Sequence, residues 1–233
     1  MMSLQERSIA LLVCLLAVCA LASAQVPGAQ NNNAASPPPA PPKKNERPAV
    51  EARAAREPFD GATVEKMAAQ CVRLETEAGE IEMEMLPETA PETVRNFLNL
   101  AAIGAYDATT FHRTVKGFII QGGSLSTRQP LTLEYAKRMA RTIPDEPNLV
   151  KHVRGIVSMA RSDKPNTATS SFFILVGDGP HLDGTFAAFG RVTRGLEVAD
   201  AINAAPAEDE KPSKPVQVKR AVVAPCPPHA PPQ

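Results

Sequence analysis

Between residues 72 and 85 the chain alternates polar and apolar positions almost without a break. Arg73 and Glu75 interleave with Val72 and Leu74, Ala78-Gly79 punctuates, and Glu80, Glu82 and Glu84 then interleave with Ile81, Met83 and Met85. A side-chain period of two sends the acids to one face and the apolar residues to the other, so the pattern predicts a β-hairpin with one buried face. The period then lengthens: Val94, Phe97, Leu98 and Ala101 follow helical spacing, with Pro91 early and Gly104 as the stop, which predicts a helix. Short apolar runs at 110–115, 118–121, 155–160, 172–176 and 187–192 predict further strands, residues 196–203 a second helix, and residues 216–223 a closing strand. About eight short strands with two helices among them argue for a mainly β fold, a closed antiparallel barrel capped by helices.

Proline distribution sets the limits of that unit. Of 23 prolines, eight lie in residues 25–58 and five in 225–232, which leaves an ordinary globular composition between them and room for one domain. Residues 1–24 read as a signal peptide: Arg7 gives a charged start, residues 9–21 are almost uninterrupted apolar sequence, and Ala22-Ser23-Ala24 has the small-x-small form cleaved before Gln25. The run is short and its exit polar for a membrane span. An uncleaved anchor is the alternative; a lipoprotein built on Cys19 fits less well, because Val18 precedes it where a small residue is wanted. Export to a periplasm or to the outside is therefore expected. Residues 25–69 read as a proline-rich disordered linker with room for a short helix at its end, residues 70–224 as the domain, and residues 225–233 as a proline-rich disordered tail.

Charge removes several function classes. With 25 basic and 25 acidic side chains the formal net charge is zero, so bulk charge does not hold a nucleic acid or an anionic membrane. The expected protein is a monomer that binds neither nucleic acid nor, after signal cleavage, a membrane. His112, His152, His181 and His229 lack metal-ligand spacing, and Cys71 and Cys226 form no C-x-x-C pair, so no metal is expected. Ser170 or Ser171 with His181 and Asp183 suggests a hydrolytic triad only weakly, because no G-x-S-x-G elbow accompanies them. No glycine-rich phosphate loop is present either, and no cofactor is expected. What stands out is Arg113 inside the apolar run Phe111-His112-Arg113-Thr114-Val115. Taken alone, it reads as a residue on the solvent face of a strand.

Three blocks in order change that reading: FHRTVKGFIIQGG at 111–123, VSMARSDKPNTATSSFFI at 157–174 and LDGTFAAFGRV at 182–192. Together with the opening hairpin and ETAPETVRNFLNLA at 88–101, they resemble the cyclophilin family of peptidyl-prolyl cis/trans isomerases over residues 72–223. The resemblance implies an eight-stranded antiparallel barrel capped by two helices, its active groove on the outside, acting on proline-containing segments of exported polypeptides. It implies Arg113 as the catalytic arginine, Phe118 and Gln121 beside it as catalytic, and a proline pocket formed by Phe118, Ile119, Phe173 and Leu182. Ala160 and Arg161 fall on the segment that bonds the peptide backbone.

Departures from the family pattern sit within the same blocks. Ser171 stands in place of a glutamine, Phe186 in place of a histidine, and His181 where some members carry the tryptophan associated with tight cyclosporin binding; all three count here as substrate-binding positions. Residues 124–142 replace a glycine-rich loop and include the helix-prone LEYAKRMAR. Lys137, Arg138 and Arg141 are expected either at the groove's edge, favouring acidic residues before the substrate proline, or on a solvated face. A non-catalytic peptide-binding or holdase module on the same scaffold is the alternative function, and a structural tethered domain a third. In the implied barrel the first and last strands are antiparallel neighbours, which implies a Cys71–Cys226 disulfide; two unpaired thiols at frayed ends are the alternative.

Overall fold

The computed structural model describes residues 56–227. Residues 1–55, with the expected signal peptide and most of the expected linker, and residues 228–233 of the expected tail lie outside the described residues. In chain order the elements are α1 (Val64–Ala68), β1 (Gln70–Thr76), β2 (Glu80–Met85), α2 (Pro91–Ala102), β3 (Thr110–Phe111), β4 (Arg113–Val115), β5 (Ile119–Gly122), α3 (Leu133–Met139), β6 (Ile156–Met159), β7 (Phe172–Leu175), β8 (Ala188–Arg194), α4 (Leu196–Ala204), β9 (Ala207–Glu208), β10 (Lys211–Pro212) and β11 (Val216–Pro225).

Nine strands share one sheet in the order β3-β11-β1-β2-β8-β6-β7-β5-β4. Its two ends, β3 and β4, are separated in sequence only by His112, so the sheet curls back on itself as a barrel. Across that break the His112 N–H donates to the Gln121 carbonyl of β5 at 3.0 Å. Counted as one strand interrupted at His112, residues 110–115 make this the eight-stranded antiparallel barrel; β9 and β10 pair separately as a hairpin. Helix α2 packs against β11 and β8, and α4 against β2 and β5. The N-cap of α2 is Ala90, which offers no side-chain bond. The carboxylate of Glu146 substitutes, accepting the N–H groups of Glu92 and Thr93 at 2.9 and 2.7 Å, where a negative charge also suits the helix dipole.

The barrel wall explains a feature of the sequence. Along β7, Phe172 and Ile174 join the interior core with Phe97, Phe111 and Phe189, whereas Phe173 and Leu175 belong to a second apolar cluster with Ile119, Ile156 and Ala188. Strands that bury both faces read as continuous apolar runs, as residues 172–175 do and residues 118–120 and 156–157 do more briefly. β2, with its acids toward solvent, alternates instead. Inside, Phe172 stands nearly perpendicular to Phe97, Tyr106 and Phe111, with centroids 5.2, 5.6 and 6.3 Å away, and such edge contacts add about 0.5–1.5 kcal/mol each beyond burial. Gly123 closes β5 with φ 75°, and a Cβ there would lie 2.6 Å from the Phe172 ring. Only glycine fits both demands.

Two boundaries differ from the sequence reading. Residues 57–69, assigned to the linker, pack as part of the folded unit: Phe59 and Met67 are buried in the core, and the Phe59 N–H donates to Asn99 Oδ1 at 2.7 Å. The short helix expected there is α1. Two isolated apolar anchors among charged residues carry no readable period, so only the slot beside α2 reveals them. At the other end β11 runs through Pro225, and Cys226 is bonded to Cys71 with the Cα atoms 4.8 Å apart, so the tail begins later than expected.

Candidate active site

Register alone lays out the centre of the groove. Arg113 of β4 faces Gln121 of β5, Gln121 faces Phe173 of β7, Phe173 faces Ser158 of β6, and Ser158 faces Ala188 of β8. Opposed residues in antiparallel strands present their side chains to the same face, with Cβ atoms about 4.5–5.5 Å apart. A cation, an amide and an aromatic ring thus stand in a row on the outer wall. The guanidinium Nη1 of Arg113 donates to Gln121 Oε1 at 3.1 Å, and its Nε donates to Glu210 Oε2 at 2.8 Å.

Around that row lies the second apolar cluster. Ile119, Ile156, Phe173, Leu175 and Ala188 form its buried part, and Phe118, Ala160, Leu182 and Phe186 pack against them. The Phe173 and Phe186 rings meet nearly perpendicular at 5.9 Å, and His181 lies 5.3 Å from Phe118. Arg161 stacks its guanidinium 5.1 Å over Phe186 and lies 3.6 Å from the Asp145 carboxylate. Ala160 donates its N–H to the Ser171 carbonyl at 2.9 Å, so Ser171 enters this contact through its backbone. Of the peptide-binding candidates, Phe118, Ile119, Ala160, Phe173, Leu182 and Phe186 belong to this cluster, and Arg113, Gln121, Arg161, Ser171 and His181 adjoin it.

Phe118 owes its place to a turn that α4 holds. Gly117 takes φ 70°, and its N–H donates to Asn203 Oδ1 at 2.7 Å, while Asn203 Nδ2 donates to the carbonyls of Val115 and Ile119 at 2.8 and 2.9 Å. Replacing this buried asparagine takes the side-chain partner from the Gly117 N–H and from the Val115 and Ile119 carbonyls, of which Val115 still accepts the Phe118 N–H at 3.0 Å. Asn203→Ala is therefore expected to lower the unfolding free energy by at least about 2 kcal/mol and to weaken substrate binding by releasing Phe118. Urea unfolding and KM on the same preparation check both parts.

Behind Phe173 a buried polar chain fixes the loop that carries Leu182. His152 lies 3.2 Å from Asp183 Oδ1 through Nδ1 and 3.1 Å from Ser158 Oγ through Nε2. Ser158 Oγ lies between His152 Nε2 and the Ala187 carbonyl, to which it donates at 2.9 Å. Ser158 and His152 are fully buried, so this is a structural clamp, and Asp183 is engaged by His152 and Lys151. Burial, the largest influence, lowers the His152 pKa, against the raising pull of Asp183. Hydrogen bonds from the His152 N–H and then Lys151 bring Asp183 down to about 2.

The sign for stability follows from linkage. An unfolded histidine takes up a proton near pH 6.5, whereas native His152 resists it, so the unfolded state binds more protons and stability falls as the pH drops below about 6.5. His112 adds to this window, its pKa lowered first by burial and also by Arg113. Asp183 contributes a second loss as the pH falls from its ordinary 3.8 through about 2. Unfolding free energies measured from pH 7 to 5 are expected to decline, and His152→Gln is expected to remove its share of that slope.

Helix α3 forms where the sequence predicts it, but its cations do not serve the groove. Arg138 is buried, donating from Nε to Glu57 Oε1 and from Nη2 to Asn96 Oδ1 of α2, both at 2.7 Å, and Arg141 reaches Glu57 at 3.3 Å. The expectation of a cationic edge is corrected: Glu57, which the sequence placed in the linker, takes two of the three charges. Glu210 is the residue sequence reasoning missed. It lies 97 positions from Arg113, in a turn read only as a connection.

The chain is similar to known proteins over most of the folded unit. The model of the cyclophilin type peptidyl-prolyl cis-trans isomerases matches residues 71–223. An isomerase of Arabidopsis thaliana is 39% identical over 141 residues, which cover 60% of this chain and 62% of that protein. Peptidyl-prolyl cis-trans isomerase A of Dickeya dadantii is 37% identical over 164 residues, covering 65% and 83%. Among solved structures, a cyclophilin type isomerase of Cryptosporidium parvum aligns with TM-score 0.59 and 34% identity over 68% of this chain and 99% of its own. The same protein, crystallised in the presence of the dipeptide Ala-Pro, aligns with TM-score 0.58 and 34% identity over 66% and 98%. With the family's match running from the first strand of the barrel to the last, the chain belongs to the cyclophilin family of enzymes, the peptidyl-prolyl cis-trans isomerases.

Proposed function

We propose that the outer groove binds X–Pro segments of exported polypeptides and that Arg113 promotes rotation of the prolyl bond. One observation carries this: Arg113 is bonded to Gln121 at the edge of a buried apolar cluster that faces outward from the barrel. Resonance gives the X–Pro bond a rotation barrier of about 18–20 kcal/mol. Catalysis needs no covalent step, only tighter binding of the twisted amide than of either planar form. In the twisted state the prolyl nitrogen regains a lone pair, and the Arg113 guanidinium donates to it. Phe118, Ile119, Phe173 and Leu182 hold the ring, while Gln121 and the backbone of Ala160 and Arg161 hold the flanking peptide. The Cryptosporidium parvum relative studied with Ala-Pro supports this ligand class.

Export rests on residues 1–24 and is consistent with the Cys71–Cys226 bond, which suits an oxidising compartment. A protease-coupled assay on an Ala-Pro peptide tests the activity: a rate that rises with protein concentration supports it, and an uncatalysed rate in the presence of folded, peptide-binding protein favours the holdase reading. Amino-terminal sequencing of the natively produced protein tests export, with Gln25 the expected first residue and Met1 the contrary one.

A further inference from the structure

Glu210 meets the strand of Arg113 twice. Its Oε2 accepts the Arg113 Nε–H at 2.8 Å, and its backbone carbonyl accepts the N–H of Thr114, the next residue of β4, also at 2.8 Å. It reaches that place through the hairpin β9–β10, whose register pairs Glu208 with Lys211 and leaves Asp209 and Glu210 as a two-residue turn. Both take left-handed backbone, φ 47° and 62°. Such turns favour Asn-Gly, and two side-chain-bearing residues there are disfavoured. The disfavoured turn persists where the two bonds to β4 hold it, which joins its geometry to that of Arg113.

An arginine on an outer wall has several side-chain torsions to settle, and its partly exposed guanidinium gains little from any single contact. Gln121 of β5 takes one donor at Nη1 and Glu210 of the β9–β10 turn takes Nε, so two bonds from separate segments fix the plane. Nη2 of Arg113 is left with no protein partner among the described residues. We infer that Glu210 is a positioning residue, which locks the Arg113 guanidinium in the plane that presents its remaining donors to the substrate amide. This rests on the reading of Arg113 given above.

The pair is half exposed, 42% for Arg113 and 48% for Glu210, so its effect is modest. Glu210→Ala is expected to lower kcat about three- to fivefold, the scale of an exposed ion pair, with KM unchanged within about twofold. Glu210→Gln keeps an oxygen that accepts the Nε–H and is expected to recover most of the loss. An independent readout is the Nε–H resonance of Arg113 in the nitrogen-15 labelled protein, identified by its absence in Arg113→Lys. It is expected to be protected from exchange in the parent and to vanish into fast exchange in Glu210→Ala. Unchanged kcat together with an unchanged Nε–H signal overturns the inference, as does a loss confined to KM or one that Glu210→Gln leaves as large as Glu210→Ala. A parent that shows the protected signal, lost in Glu210→Ala, yet isomerises nothing supports the positioning and overturns the catalytic reading instead.

Discussion

Arg113→Ala is expected to cost one to two decades in kcat/KM on an Ala-Pro peptide while leaving the urea midpoint close to that of the parent. A charged hydrogen bond contributes about 1.5–3 kcal/mol net, and each decade of rate corresponds to about 1.36 kcal/mol, which sets the range. The remaining acceleration comes from positioning in the apolar groove and survives the substitution. Stability is spared because the side chain is partly exposed and its ion pair with Glu210 is a surface pair, worth at most about 1 kcal/mol. Arg113→Lys tests the geometry: an ammonium cannot reach Gln121 and Glu210 along the two directions of a planar fork and still face the substrate. Its activity is expected to lie nearer to the alanine variant than to the parent.

Reduction of the Cys71–Cys226 bond, or the paired substitution Cys71→Ser with Cys226→Ser, is expected to be the most destabilising change that leaves the groove untouched. The bond spans 155 positions, and the loop-closure entropy it removes from the unfolded chain amounts to about 5 kcal/mol. For a unit of this size each kcal/mol moves Tm by about 2–4 °C, so a fall of about 10–20 °C is expected. The site reinforces a vulnerable junction: Cys71 stands near the start of β1, and the Cys226 N–H donates to the Ala69 carbonyl just beyond the end of β11. Without the bond these two strand ends fray first. Thermal unfolding of the oxidised protein with and without reductant reads the effect, and an unchanged Tm with both thiols open to alkylation before reduction contradicts it.

How far the sequence reveals this molecule depends on where each side chain finds its partner. The hairpin of β1 and β2 and the helix α2 were legible because a periodic pattern reports a face, and the alternation of Glu80, Glu82 and Glu84 with Ile81, Met83 and Met85 leaves little choice. The groove was legible only through resemblance. Phe118, Ile119 and Phe173 look like core residues in any local window, and the second apolar face they build appears only once β5, β6 and β7 are side by side. Glu57 and Glu210 were not legible at all. Each is an exposed-looking acid in a connection, and each meets its arginine, Arg138 or Arg113, across 81 or 97 positions. No local period encodes such a contact, so the expected role of the α3 cations was misplaced.

The central claim, that the outer groove of this barrel lowers the barrier to X–Pro rotation, is tested most directly by exchange NMR on an Ala-Pro peptide with a small molar fraction of the folded protein. Uncatalysed isomerisation takes tens to hundreds of seconds at 25 °C, too slow to give cross-peaks between cis and trans signals within a mixing time of about a second. The account predicts cross-peaks that grow with protein concentration and shrink sharply in Arg113→Ala. Cis and trans signals that stay unconnected in the presence of folded parent protein would contradict it.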